Sequence, residues 1–481
     1  MNVSRCGRCA LFLLASLAVA PAWPADPAPA VDPAVLAKIR DAALSSDWAW
    51  QRLADLTDKI GPRLSGSPQA EAAVTQVSDA LRAAGLKVTL QPATVPHWVR
   101  GEEQAELVDW PGRPAGLTQR LVLTTLGGSV ATPDAGLTAP VLVVHSFDDL
   151  KAHAAEAKGR IVLFDYAFNQ GLADNGQAMT AYSQAVAYRV QGASAAARLG
   201  AVASLIRSVG GADFRLPHTG VMKYEEDAPK IPTAALSAED AMWVARLSAQ
   251  GPVSLHLKLT PQTLPDADSH NVLADLPGRE KPDEVVLVSG HLDSWDLAQG
   301  AIDDGAGVAA AMGAVQVLKS LGLKPRRTVR VVAWMNEENG SGGSKAYFAA
   351  NKDRIAQQVA AIESDSGAGQ PLGVIASVTK DSEAQLKAVT AALQPIGATA
   401  LDRREGEVGA DIDPLQQAGV PGFAPLVDTR QYFWYHHTAA DTLDKVKPEN
   451  LRRQVAVMAV LAYYLAEMPD PLPRVPVRAA E

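Results

Sequence analysis

Val285-Val286-Leu287-Val288-Ser289-Gly290-His291-Leu292-Asp293 is the most informative run in the chain for its architecture. Its first four residues are apolar and β-prone, and the run ends in a glycine, a histidine and a carboxylate. Two later stretches repeat the arrangement. Residues 328–335 lead into Asn336-Glu337-Glu338-Asn339-Gly340, and residues 359–362 lead into Glu363-Ser364-Asp365-Ser366-Gly367. A helical stretch follows each run. Continuous apolar strands alternating with helices imply a mostly parallel sheet buried on both faces. The expected architecture is α/β, a three-layer sandwich around a mostly parallel central sheet.

Ligand sites in such sheets lie beyond the carboxyl ends of the strands. The polar residues gather there. Between the first two runs lies Gly300-Ala301-Ile302-Asp303-Asp304-Gly305-Ala306-Gly307, opening a helix that extends to about residue 320. A later short strand over 422–426 leads into Tyr432-Phe433-Trp434-Tyr435-His436-His437-Thr438-Ala439-Ala440-Asp441-Thr442. Five adjacent loops thus bring histidines and at least five carboxylates to one rim. Crowded carboxylates repel unless cations neutralise them. With imidazoles among them the fitting cation is zinc or a similar divalent metal, and the number of ligands suits two ions. A solvated acidic rim explains one such loop but not five.

Within the rim, the Asp293 carboxylate is placed to accept from the second ring nitrogen of His291 and fix its tautomer. Glu337 and Glu338 point in different directions, so one can bind metal while the other faces a water. Asp303 and Asp304, taken alone, also fit an ordinary helix N-cap. Neighbouring side chains on an extended loop point to opposite sides, so only one of His436 and His437 is expected to reach the metals. Rival machinery is missing: the chain has no Gly-x-Ser-x-Gly elbow, no His-Glu-x-x-His, no Walker lysine motif and no complete dinucleotide fingerprint.

The 481 residues allow about three domains. Hydrophobic residues at 47% and charged residues at 20% exclude wholesale disorder. The net charge of −9 carries no basic block, which excludes nucleic acid as a partner. Residues 1–22 read as a signal peptide: Arg5 and Arg8, an apolar run over 10–20, then Ala20-Pro21-Ala22. The expectation is therefore a secreted or periplasmic protein without a retained membrane anchor. Both cysteines, Cys6 and Cys9, lie in this segment, so the exported chain would hold no disulfide or thiolate site, and any metal would need His, Asp and Glu. Residues 23–32 read as a flexible leader and 33–115 as the first part of the main domain, with amphipathic helices over 35–60 and 70–85. Residues 116–260, with short strands and an Ala-rich helix, read as an inserted β-rich domain. Residues 261–470 carry the site, and 471–481 form a tail.

In chain order, His291-x-Asp293, Gly300-Ala301-x-Asp303-Asp304, Glu337-Glu338-x-Gly340, Glu363-Ser364-Asp365 and His437-Thr438-x-x-Asp441-Thr442 resemble the motifs of the co-catalytic di-zinc exopeptidases. That family includes the Vibrio and Streptomyces aminopeptidases and glutamate carboxypeptidase. The resemblance covers most of the chain after the signal segment. The segments Gly290-His291-Leu292-Asp293-Ser294-Trp295-Asp296 and Val95-Pro96-His97-Trp98-Val99-Arg100-Gly101, with the aromatic run before His437, look like its plasma glutamate carboxypeptidase (carboxypeptidase Q) subgroup. Tyr188-Arg189-Val190-Gln191-Gly192-Ala193 is similar to part of a protease-associated domain.

The resemblance implies the zinc exopeptidase fold and two Zn2+ per chain. One zinc would take His291 and Asp365, the other Glu338 and His437. Asp303 would bridge them, Glu337 would be the general base, and Asp293 would orient His291. It also implies a cis peptide at Asp303–Asp304, a homodimer, and small peptides as substrates, cleaved by carboxypeptidase, dipeptidase or aminopeptidase action. A metal-activated water would attack the scissile carbonyl while Glu337 takes its proton. The competing class is an inactive metal- or peptide-binding module. The presence of every expected ligand and of Glu337 weighs against it.

Overall fold

The computed structural model describes residues 31–211 and 214–477. The expected signal segment 1–22, most of the leader and the end of the tail lie outside the described residues. The leader ends earlier than expected: Val31 is buried, and the Asp32 side chain caps the helix Pro33–Leu44.

The central sheet has eight strands in the order Lys87–Val99, Gln262–Leu276, Arg327–Trp334, Lys281–His291, Gln358–Glu363, Gly422–Val427, Pro371–Ser377, Ala400–Arg403. The four middle strands run parallel. The first two strands and Pro371–Ser377 join antiparallel, so only the centre is fully parallel. Along Lys281–His291, Val286 and Val288 enter one apolar cluster and Leu287 the cluster on the opposite face. That period-2 alternation produces three layers. Each fully buried Val or Leu contributes about 1.5–3 kcal/mol. The first cluster also takes in the helices Pro33–Leu44, Ala306–Ser320 and Pro448–Glu467. The helix expected over 35–60 is instead two, Pro33–Leu44 and Trp48–Lys59. The Ser45 hydroxyl donates to the Asp41 carbonyl and the Trp48 N–H to the Ser46 hydroxyl, side-chain bonds that compete with the helical ladder.

A second eight-stranded sheet is built from residues 103–259 and has its own apolar clusters. It begins earlier than the boundary expected at 116, because Glu103–Asp109 pairs with Ser254–Leu259. Pro111-Gly112-Arg113-Pro114 lies in the connection inside this sheet that links Glu103–Asp109 to Gln119–Leu121. The 21-residue helix Ala178–Arg198 packs on it, so this part of the chain is α/β in character.

Candidate metal centre

His291 is the last residue of its strand, at the carboxyl edge of the parallel core. Asp303 and Asp304 sit in the turn Ala301–Gly305 that opens the helix Ala306–Ser320, and the peptide between them is cis. Glu337 and Glu338 follow Arg327–Trp334, and Asp365 follows Gln358–Glu363. His436 and His437 follow the short helix Tyr432–Tyr435.

These residues converge on Asp303, whose two carboxylate oxygens face different partners. Oδ1 lies 3.1 Å from His291 Nε2, which is itself 3.5 Å from Asp365 Oδ1. Oδ2 lies 3.1 Å from His437 Nε2, which is also 3.1 Å from Glu338 Oε2. Oδ2 is buried and outside hydrogen-bond geometry with both neighbouring rings. A buried acceptor facing other lone-pair donors, with no proton directed at it, fits a shared cation. Ligand atoms of His291, Asp303 and Asp365 lie within 4.8 Å of one another, as do those of Asp303, His436 and His437.

Burial alone would raise the Asp303 carboxyl, but His436, His291 and His437 hold it well below the usual range. Burial pushes Glu337 well above the usual range; His291 opposes the shift, and Asp365 and Glu338 reinforce it. Glu338 is pushed up to about 7 by burial and by Asp303.

Two expectations change. The Asp293 carboxylate does not take the proton of His291: the ring Nδ1 is 3.0 Å from the Asp293 main-chain carbonyl and 3.9 Å from Oδ1. The carboxylate instead accepts from the N–H groups of Asn336 and Glu337, at 2.7 and 3.1 Å, and so holds the loop that carries Glu337. Nor do His436 and His437 point to opposite sides. His437 has φ of +60°, so the loop is not extended, and the two rings stack at 3.5 Å between centroids. Both reach Asp303, with His436 Nε2 3.5 Å from Oδ2, but among these contacts only His437 also meets Glu338.

Other residues build the site around these groups, and of them only Arg63 lies outside the motifs quoted above. Asp441 accepts from the N–H groups of Ile302 and Asp303, at 2.6 and 3.2 Å, and anchors the turn. Asp304 accepts from the N–H groups of His291 and Gly307. A Cβ at Gly307 would come within 1.9 Å of the Ser364 carbonyl oxygen and 2.3 Å of Asp304, which explains the glycine. Arg63, fully buried, donates to the carbonyls of Leu292, Gln299 and Gly300.

A cleft of about 830 Å³ opens over the site. Its far wall comes from the second sheet's segment and includes Tyr182 and Arg189. Arg189 is 6% exposed, its guanidinium lies over the Tyr182 ring, and its Nε has no hydrogen-bond partner. Among the described residues no carboxylate comes within 4.0 Å of it; its one polar contact is His437 Nδ1 at 3.5 Å.

The model of peptidase family M28 matches residues 271–462. Carboxypeptidase Q from Mus musculus and from Homo sapiens are each 41% identical over 428 residues, covering 89% of this chain and 87% of the relative. Among solved structures, a peptidase M28 precursor from Shewanella amazonensis SB2B is 36% identical, with a TM-score of 0.86 over 92% of this chain and 98% of that one. An aminopeptidase from Aneurinibacillus sp. strain AM-1, 21% identical, shares the fold with a TM-score of 0.62, over 93% of this chain and all of that one.

Proposed function

This chain belongs to peptidase family M28 and is a metallo-exopeptidase; we propose that it binds two zinc ions and releases the C-terminal residue of dipeptides and short peptides. The observation that carries the two-ion reading is Asp303, with one oxygen toward His291 and the other toward His437 and Glu338. His291 and Asp365 would hold one ion, Glu338 and His437 the other, and Asp303 both. Zinc supplies Lewis acidity: it lowers the pKa of a coordinated water and polarises a carbonyl. Glu337 meets none of the ring nitrogens around Asp303 within 4.0 Å and lines the cleft. It is positioned to accept the proton of the attacking water and return it to the leaving amine. Burial shifts its carboxyl upward, the direction a general base requires. The N-terminal segment with Arg5, Arg8 and Ala20-Pro21-Ala22 supports export to the periplasm or outside the cell.

Arg189 supports carboxyl-terminal recognition. A buried cation without an anion is costly, and a substrate carboxylate entering the cleft supplies the missing charge. Arg189→Met is expected to raise KM for free dipeptides roughly 10- to 100-fold, the value of a hydrogen bond to a charged group. Peptides amidated at the C-terminus should be poor substrates of both proteins, to the same degree. Parent enzyme that cleaves amidated and free peptides equally well would sink the carboxypeptidase reading and favour aminopeptidase action.

The paired histidines give a second test. His437→Ala should lower bound zinc toward one ion per chain, because His437 meets both Asp303 and Glu338. His436→Ala should retain more zinc, since its ring meets Asp303 only, at the longer distance. Metal content of the two variants, purified identically without added zinc, decides the order.

A further inference from the structure

The two halves of the metal centre are held by different parts of the chain. The ring of His291 is oriented from within the catalytic sheet, by the Asp293 carbonyl. The ring of His437 is oriented from the second sheet's segment: its Nδ1 donates to the Thr219 carbonyl at 3.2 Å, and the Thr219 N–H donates to the His437 carbonyl at 2.9 Å. Thr219 thus grips both the side chain and the main chain of His437, from 218 positions away.

Thr219 is itself tied down by Arg100, which stands where the chain passes from the central sheet into the second one. Arg100 is almost fully buried. Its Nη2 donates to the Thr219 hydroxyl at 3.2 Å, and its Nη1 to the Thr124 hydroxyl at 2.7 Å and to Glu103 at 3.1 Å. The other edge of the guanidinium forks onto Asp296 of the catalytic segment, with Nε 2.9 Å from Oδ2. Asp296 follows Trp295, whose N–H donates to Glu338 Oε1 at 3.2 Å and whose ring packs edge-on to His437 at 5.8 Å. The same indole is seated against Gly127 of the second sheet's segment, where a Cβ would come within 2.0 Å of it. The second residue pair of the site, Glu338 and His437, is therefore fastened across the seam between the two sheets. No such fastening reaches His291 among its described hydrogen bonds.

We propose that Arg100 is a positioning residue through which docking of the inserted segment sets the affinity of the metal held by Glu338 and His437, while the metal held by His291 and Asp365 is independent of it. The proposal rests on the two-ion reading above. Hydrogen-bond partners of metal-binding histidines fix ring orientation and tautomer, and their loss costs about 10- to 100-fold in metal affinity.

The test uses the full chain loaded with zinc, dialysed against graded chelator, with zinc per chain measured by atomic spectroscopy and folding by circular dichroism. Arg100→Ala is expected to release one ion at roughly 10-fold lower chelator strength or less, with release of the other ion unchanged. Arg100→Lys should recover only part of the difference, because an ammonium cannot reproduce the forked contact with Asp296. Thr219→Val keeps the main-chain contacts with His437 and removes the hydroxyl that Arg100 meets, so it should shift the same ion by less; it also serves if Arg100→Ala does not fold. In a His437→Ala background, adding Thr219→Val or Arg100→Ala should leave the remaining ion unaffected. Parallel weakening of both ions, or no shift in a folded Arg100→Ala or Thr219→Val protein, overturns the proposal. Parent protein that never holds two ions overturns the two-ion reading instead.

Discussion

Asp303→Ala is expected to lose bound metal and activity together. Among the described residues its carboxylate is the one that meets both His291 and His437, with Oδ1 toward the first and Oδ2 toward the second. On the proposed two-ion arrangement, removing it would take a ligand from each ion and leave Glu338, Asp365 and Glu337 crowded with less cationic compensation. Those three carboxyls are already pushed upward by burial, so the variant should resist holding all of them ionised. Lewis-acid stabilisation is worth several kcal/mol, and each 1.36 kcal/mol is tenfold in rate, so turnover should fall by roughly 10⁴-fold or more. Asp303→Asn keeps the size and one acceptor oxygen and should bind metal less weakly than the alanine variant. Metal analysis that finds two ions retained in Asp303→Ala would falsify the bridging role.

Glu337→Gln separates chemistry from metal binding. Asp293 accepts from the Glu337 N–H, so the main chain at this position is held whatever the side chain. Glutamine preserves shape but cannot take a proton. The expected result is full metal content, an unchanged fold and a kcat lower by about 10²- to 10⁴-fold, the range of a lost general base. Zinc lost from this variant would instead make Glu337 a ligand. Because Glu338 adjoins it on the same turn, Glu338→Gln is the informative contrast: it should lose metal, where Glu337→Gln loses only rate.

Much of the site was legible because strand periodicity and strand-end chemistry are local. The run Val285 to Val288 specifies a strand buried on both faces, and the residue after its glycine necessarily emerges at the carboxyl edge. His291, Asp303, Glu337, Glu338 and Asp365 each sit on such an edge or on the turn into the following helix, so their convergence follows from a parallel sheet. Local reasoning failed where backbone conformation departs from the regular. The left-handed φ at His437 turns two neighbouring rings to one side, and a histidine-histidine pair carries no sign of that. In the His-x-Asp motif, the spacing suggested a carboxylate partner for His291, whereas the strand end places the Asp293 carbonyl there and turns the carboxylate toward Asn336 and Glu337.

The parallel core, the edge on which the carboxylates and histidines gather, and the kind of cation they fit could all be read from short stretches, because strand periodicity and strand-end chemistry depend on residues within a few positions of one another. What surrounds them comes from packing between distant parts of the chain. Arg63 comes from more than 200 positions before the carbonyls it joins, and Arg189 and Thr219 reach His437 across 248 and 218 positions. No periodicity in those segments marks them, since a lone arginine in an Ala-rich helix looks like any solvated charge. Packing of the second sheet's segment against the metal centre buries Arg189 and brings the Thr219 carbonyl to His437, and such packing is a property of the folded chain.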